Sequence, residues 1–567
     1  MAKILLRLEF DNIYPDEEKK DILEYLKLVS KFCLENFIGF FNVNPTINYD
    51  NFFSNSEIKY DVIKRVNKYC RVNNIEDKPV VISPEASLKI SEFILANKDL
   101  LITNKELEED IDRDEINLFK SFLSINEIIN KRGKLNLEFT EENIDKIAEI
   151  FLSLKFSTSD LGLYDDNDFE LLELAYTTSY KFEKLIDFLS EKVDYNYLVD
   201  DLCNYFKQTD IHILKKQVDF LIIQVLRFTQ HNSYKFKVID PRTIDFLDSL
   251  IGDEIIEDKD FIHLRNYPLY RMGNGIYTII NTFFVLDKFT KSIKFLLKDS
   301  FNRKNNLDTN DRGFFNFYNK EFSENYLMKN LLDSIFYKKH FVKQEEVNTD
   351  ENQPDYYFRH NKDLFIFEYK DVLIAKDVKV SGDVEQILQT LEGKFLKTPK
   401  TKKRIGIGQL ISHIEFISSN KFVYDTQIND NKFYTIYPIL LLSDRTLEML
   451  GVNHILNNWF IENLEIDNKH FSIKNLVIIN IDTLIFYEQY LKQRNYNFKD
   501  MLDTHIKKMK MDTKGYGRNQ SEYEANVEKK ISTKLAPFSY RFNKKMFDPK
   551  LFINSFSYLV NENNSNF

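Results

Sequence analysis

At 567 residues, 43% of them apolar, the chain is too long for one compact core, and a prior of about 150 residues per domain predicts two to four domains. The formal charge of −10 argues against a uniformly basic nucleic-acid binder. The acid is unevenly spread, however: residues 321–567 hold about 35 Lys and Arg against 33 Asp and Glu, and residues 1–320 about 43 against 55. The rear half is therefore near neutral, and local basic patches there remain able to bind phosphates. Cys33, Cys70 and Cys203 form no CxxC pair, which excludes a zinc knuckle or disulfide framework and predicts a reducing, cytoplasmic setting. No uncharged run reaches the length a bilayer requires, so no membrane partner is expected.

Met1 to Phe10 alternates and soon carries charge, the pattern of a first strand and not of a signal peptide. From about Asp16 to Leu250 the texture is helical. Lys20–Phe37, Glu141–Leu154, Phe169–Leu189 and Ile211–Phe228 space apolar residues by three and four. Asp165-Asp166-Asn167-Asp168 lacks the glycine and distal glutamate of a calcium loop and reads as a solvated helix start. No Gly-x-x-x-x-Gly-Lys loop occurs, which argues against a built-in P-loop ATPase. Phe261 to Tyr270, the turn Met272-Gly273-Asn274-Gly275 and the run Ile276–Ile280 predict a hairpin. Arg265 and Tyr267 there suit either a phosphate and a base or packing at a domain junction.

After the polar loop 303–313, Phe314–Tyr337 predicts an amphipathic helix and Lys339–Glu345 a strand. The stretch Gln353–Asp371, QPDYYFRHNKDLFIFEYKD, organises the rest. Pro354-Asp355 opens an aromatic strand. A polar turn leads into the buried run Leu364–Phe367, which ends in charge. With side chains alternating, Ile366, Glu368 and Lys370 share one face, and pairing of the two arms brings Asp355 near Glu368. Two carboxylates suit a hard divalent cation such as Mg²⁺ or Mn²⁺, and a neighbouring lysine suits an attacking water or a charged phosphate.

Pro354-Asp355 and Glu368-Tyr369-Lys370 resemble the PD-(D/E)xK nuclease superfamily, over about residues 314–485. Glu57-Ile58-Lys59, Glu76-Asp77-Lys78, Glu257-Asp258-Lys259 and Asp377-Val378-Lys379 also read acid-x-Lys. Only Glu368-Tyr369-Lys370 follows an apolar strand and a Pro-Asp strand. The resemblance implies a restriction-endonuclease-like core, a small mixed sheet flanked by helices, and Asp355, Glu368 and Lys370 as catalytic residues. It further implies Asp355, Glu368 and the Tyr369 carbonyl as metal ligands. A glutamate of the preceding helix, Glu324 with Glu321 as understudy, is the implied additional ligand.

Beyond the motif, the basic segment Glu392–Arg404 offers Lys394, Lys397, Lys400, Lys402, Lys403 and Arg404 to phosphates or simply solvates a loop. Gly406–Phe416 reads as a helix opened by glycines. Several superfamily branches place a glutamine there, which makes Gln409 a candidate to support a metal ligand or contact substrate, with His413 as a neighbour. Tyr434–Asp444 and Leu476–Asp482 predict two further strands, on either side of a helical region containing Trp459. A second basic stretch, His505–Arg518, contains Lys507, Lys508 and Lys510, suited to a nucleic-acid-facing loop or a solvated linker. Asn561–Phe567 is polar.

The expected fold class is α/β, α+β overall, in four parts: a mainly helical region 1–255, a hairpin-containing connector 256–310, a nuclease-like domain 311–490 and a helical, basic extension 491–567. The expected function is a cytoplasmic, Mg²⁺- or Mn²⁺-dependent endonuclease, on DNA ahead of RNA by the habit of the superfamily, in restriction or antiphage defence. A homodimer, or a partner protein bound through the helical front, is the expected assembly. Two other readings stand: a catalytically inactive nuclease fold that holds nucleic acid or a protein, and a helical interaction protein whose charges at 355–370 never meet.

Overall fold

The computed structural model describes residues 6–42, 46–131, 143–161, 167–231, 235–336, 341–343, 353–425, 427–428, 432–466, 470–493 and 497–562. The chain divides into two compact units, one of residues 2–135 and 161–309, the other of residues 1, 136–160 and 310–567. The expected hairpin connector thus belongs with the helical front, and the C-terminal extension belongs with the sheet-bearing unit. The short excursion 136–160 also joins the latter, which no local sequence signal announces.

The first unit is helical around an aromatic-rich core, with Phe37, Phe53, Phe119 and Phe122 buried in it. Of the expected first strand, residues 1–5 lie outside the described residues; Arg7 makes an isolated parallel bridge to Val80, and from Phe10 the chain turns into a short helix, Phe10–Ile13. The expected Lys20–Phe37 helix is two, Ile22–Lys27 and Lys31–Phe37. Ser30 divides them, its hydroxyl accepting from Cys33 N–H at 3.3 Å as a helix N-cap. Strands β1 (Lys235–Lys237), β2 (Leu269–Gly273) and β3 (Ile276–Ile279) form an antiparallel sheet in the order β1-β3-β2. Asn274 and Gly275 both take positive φ, the turn that a two-residue Asn-Gly hairpin prefers. Upstream of β2, Ile262–Asn266 is helical and not strand. Arg265 lies 3.2 Å from Asp260 and 3.7 Å from Asp287 and covers the Phe284 ring, which is the packing role of its two readings. The Asp165 and Asp166 of the rejected calcium loop lie outside the described residues.

The second unit is built on a six-stranded mixed sheet: β4 (Phe341–Lys343), β5 (Tyr356–His360), β6 (Asp363–Lys370), β7 (Tyr434–Leu442), β8 (Phe471–Ile473) and β9 (Val477–Asn480). The order is β4-β5-β6-β7-β8, with β9 also on β7. β5 and β6 are an antiparallel hairpin turned at Asn361, whose φ of 56° is one asparagine tolerates. β6 and β7 run parallel, so the chain between them must cross over, and it does so through helices Val384–Phe395 and Ile407–Ser418. The remainder of the expected strand 339–345 lies outside the described residues. The last predicted strand is shorter than expected: Asn480 caps a helix over Ile481–Phe486, accepting from Asp482 N–H at 2.8 Å.

β6 has neighbours on both edges and is covered on both faces. Phe365 and Phe367 point to one side, where Phe365 stacks on Tyr437 at 4.8 Å and Phe367 on Phe498 at 6.1 Å. The other side meets helix Ile407–Ser418. Burial on both faces explains why Leu364–Phe367 reads as an unbroken apolar run. Among the described residues no helix is long and apolar enough to cross a membrane.

Candidate active site

The site grows from the register of one hairpin. Tyr356 pairs with Phe367. One step further sets Asp355, in the bend before β5, opposite Glu368, at a non-hydrogen-bonded position where side chains stand closest. Tyr369 N–H turns toward that edge and donates to Asp355 Oδ2 at 2.8 Å. The N–H and C=O of one strand residue face the same edge, so the Tyr369 carbonyl also points toward β5. The residue that would oppose it is Pro354, which has no N–H to give. That carbonyl cannot close a ladder bond with Pro354.

Glu368 and Lys370 share a face. Lys370 Nζ lies 3.0 Å from Glu368 Oε2 and 3.6 Å from Asp355 Oδ2. The remaining oxygen, Glu368 Oε1, meets His413 Nε2 at 2.9 Å. The expected trio therefore converges at the end of the central strand, and His413 completes it. Glu368 is fully buried. Burial alone would raise its carboxyl, but Lys370 and His413 outweigh that and hold it below the ordinary range. Asp355 goes the other way, pushed well up by burial and then by the Glu368 charge. Burial opposes the Lys370 charge, yet the Glu368 and Asp355 carboxylates win and raise it. The arrangement is one full negative charge, one carboxyl reluctant to ionise and one firmly held cation, as expected when two acids share a small space.

The helix before the sheet is π-helical over Tyr318–Met328, a rare geometry often found at functional sites. Asp371, the residue after the motif, anchors it: Ser323 Oγ donates to Asp371 Oδ2 at 2.7 Å, and Asn319 Nδ2 to the Asp371 carbonyl at 3.0 Å. Ser443, just past β7, donates to the other oxygen at 2.6 Å. Lys320 and Glu324, each one residue beyond these anchors, pair with one another. The Glu324 charge reaches the site, acting on both Asp355 and Lys370. Glu321, three residues earlier on the same helix, is half-buried. Among the described residues no three His, Cys, Asp or Glu side chains are grouped to hold a metal. The two carboxylates are the number a Mg²⁺ ion commonly takes from protein, the rest of its shell being water and phosphate oxygen. An all-oxygen donor set, with a strand carbonyl to which Pro354 can give no ladder bond, fits a hard divalent cation.

Gln409 has a local task. Its Oε1 accepts from Gly406 N–H at 2.9 Å, closing the first turn of helix Ile407–Ser418. Of the basic segment, Lys397 pairs with Glu392 at 3.2 Å, and Arg404 reaches Glu415 at 2.6 Å and Ser412 at 2.9 Å. Lys400, Lys402 and Lys403 are exposed. Lys394 is half-buried, its ammonium pushed down by burial and by nearby Arg312. In the second stretch Lys507 and Lys510 are exposed, while burial and Arg541 lower Lys508.

From sequence, His413 stands only as a neighbour of Gln409. The available signal was a lone polar ring on the apolar face of Leu410, Ile411, Ile414 and Ile417. Lys320 had no signal beyond helical spacing from Glu324. Comparison of the chain with protein-family models, with curated proteins and with solved structures gives no match.

Proposed function

We propose that this chain is a divalent-metal-dependent nuclease that hydrolyses phosphodiester bonds, on DNA ahead of RNA. The observation that carries the reading is the meeting of Asp355, Glu368 and Lys370 at the end of one central strand. Sequence separation alone would not bring an aspartate 13 positions upstream into hydrogen-bond range of this strand; the hairpin register does.

A divalent cation bound between the carboxylates would polarise the scissile phosphate and lower the pKa of an attacking water. Asp355 and Glu368 supply its protein oxygens, with the Tyr369 carbonyl at the same edge. Lys370 orients the water or offsets charge that builds on the phosphate. Lys400, Lys402 and Lys403, exposed on their loop, suit contact with the phosphate backbone, which steers and positions without reading sequence.

The test is incubation of the purified full-length chain with supercoiled plasmid, single-stranded DNA and RNA in Mg²⁺ or Mn²⁺. Cleavage is expected, and Asp355→Asn and Lys370→Met, checked for folding by circular dichroism, should each lose on the order of 10²-fold or more. A wild-type chain that cuts none of these substrates would instead favour a nuclease fold used to hold nucleic acid or a partner.

A further inference from the structure

The two oxygens of Glu368 are not equivalent. Oε2 faces Lys370 Nζ at 3.0 Å, while Oε1 is engaged by His413 Nε2 at 2.9 Å. Lys370 sits on a long flexible stem with its side chain 19% exposed, and can withdraw. His413 cannot: it is short, 2% exposed and fixed on helix Ile407–Ser418. Glu368 is equally immobile, with strands on both sides.

The other ring nitrogen explains why a histidine stands here. A carboxylate oxygen accepts, so the ring donates to Oε1 through Nε2. Nδ1 is buried and has no hydrogen-bond partner among the described residues. A buried polar atom left without a partner costs stability. A leucine, like the neighbouring Leu410, would fill the same apolar face without that cost. The bond to Oε1 is what the ring supplies.

We propose that His413 makes Glu368 a one-oxygen metal ligand and thereby selects a Mg²⁺-sized ion over Ca²⁺. Ca²⁺ takes six to eight oxygens and readily uses both oxygens of one carboxylate, whereas Mg²⁺ needs a compact octahedron and is content with one. With Oε1 held, only Oε2 can turn to the ion. His413 is a positioning residue, acting through Glu368. The proposal rests on the reading of Glu368 as a metal ligand.

The experiment is calorimetric titration of the full-length chain, free of nucleic acid, with Mg²⁺ and Ca²⁺ separately. The readout is the ratio of the two dissociation constants. In His413→Leu the preference for Mg²⁺ should fall by about tenfold, the lower end of what loss of an outer partner does to a metal site. His413→Gln, whose amide nitrogen sits where Nε2 does, should keep the wild-type ratio. Should the leucine variant not fold, His413→Asn, one bond too short to reach Oε1, is expected to show the same fall. An unchanged ratio in the leucine and asparagine variants, equal weakening of both ions, or a wild type that binds neither ion overturns the proposal. Plasmid cleavage is scored separately. A shifted ratio in a chain that cuts nothing removes the nuclease reading and keeps the role of His413, and cleavage with an unshifted ratio does the reverse.

Discussion

Lys370 holds together two carboxylates that would otherwise repel each other in a buried space. Its removal leaves Glu368 charged, fully buried and facing Asp355. Breaking a buried pair by deleting one partner costs about 3–5 kcal/mol, because the surviving charge is stranded. Lys370→Ala is therefore expected to melt earlier than wild type in chelator, and millimolar Mg²⁺ should restore part of the loss by binding the folded state alone. Equal melting of the two proteins in chelator would show that the carboxylates tolerate one another without the ammonium. Glu324 illustrates how a single residue resists reading: its helix and its i,i+4 pairing with Lys320 follow from spacing, but the reach of its charge to Asp355 and Lys370 depends on how that helix packs.

Elements are joined by polar pins as well as by apolar packing. Helix Asn497–Met509 is tied to the end of the sheet through His505, which is fully buried. Arg541 Nε donates to His505 Nδ1 at 2.9 Å, so the ring hydrogen is on Nε2, 3.1 Å from Asn453 Oδ1. Asn453 in turn accepts from Ile478 N–H of β9 at 3.0 Å. Burial, then Arg541 and Lys508, push the His505 imidazole down to about 3. The unfolded chain takes up this proton near pH 6.5 and the folded chain only near 3. Between those values the unfolded state binds more protons, so stability is intact above about 6.5 and falls as the pH drops. The full window is worth on the order of 5 kcal/mol. His505→Gln should flatten the loss of stability between pH 6.5 and 4 in chemical denaturation. A wild-type slope in that variant would place the acid sensitivity elsewhere.

At the scale of the whole molecule, two buried groups, one in each unit, carry opposite pH dependences. In the helical unit Glu92 is fully buried beside Lys89, and burial lifts its carboxyl to about 7 despite that partner. Its unfolded value is near 4.5, so between 4.5 and 7 the folded state holds the extra proton. Stability from this group is present below about 4.5 and declines as pH rises through 7. The magnitude is about 3 kcal/mol. Glu92→Gln should stabilise the chain at pH 7.5 and do little at pH 4.5, the reverse of the pH profile expected of His505→Gln. Calorimetric scans of the two variants at both pH values check this, and parallel behaviour would refute it.

Much of the molecule was legible because its signals are local. The Asn274-Gly275 hairpin, the apolar run of β6 and the helices over 167–190 and 211–231 each follow from a few neighbouring residues: positive φ at a turn, burial on both faces of a strand, a spacing of three and four. The candidate site was legible for the same reason, since Asp355, Glu368 and Lys370 lie on the two arms of one hairpin. What lay beyond reach was long-range. The packing of residues 143–160 with the unit of the six-stranded sheet, the bond from His413 to Glu368 across 45 positions, and the anchoring of the π-helix by Asp371 are choices among many partners of similar chemistry. The sequence alone determined the elements and the chemistry they carry. The tertiary structure decided which buried polar groups satisfy one another, because a hydrogen bond between distant segments depends on how whole elements pack and leaves no periodic trace in the chain.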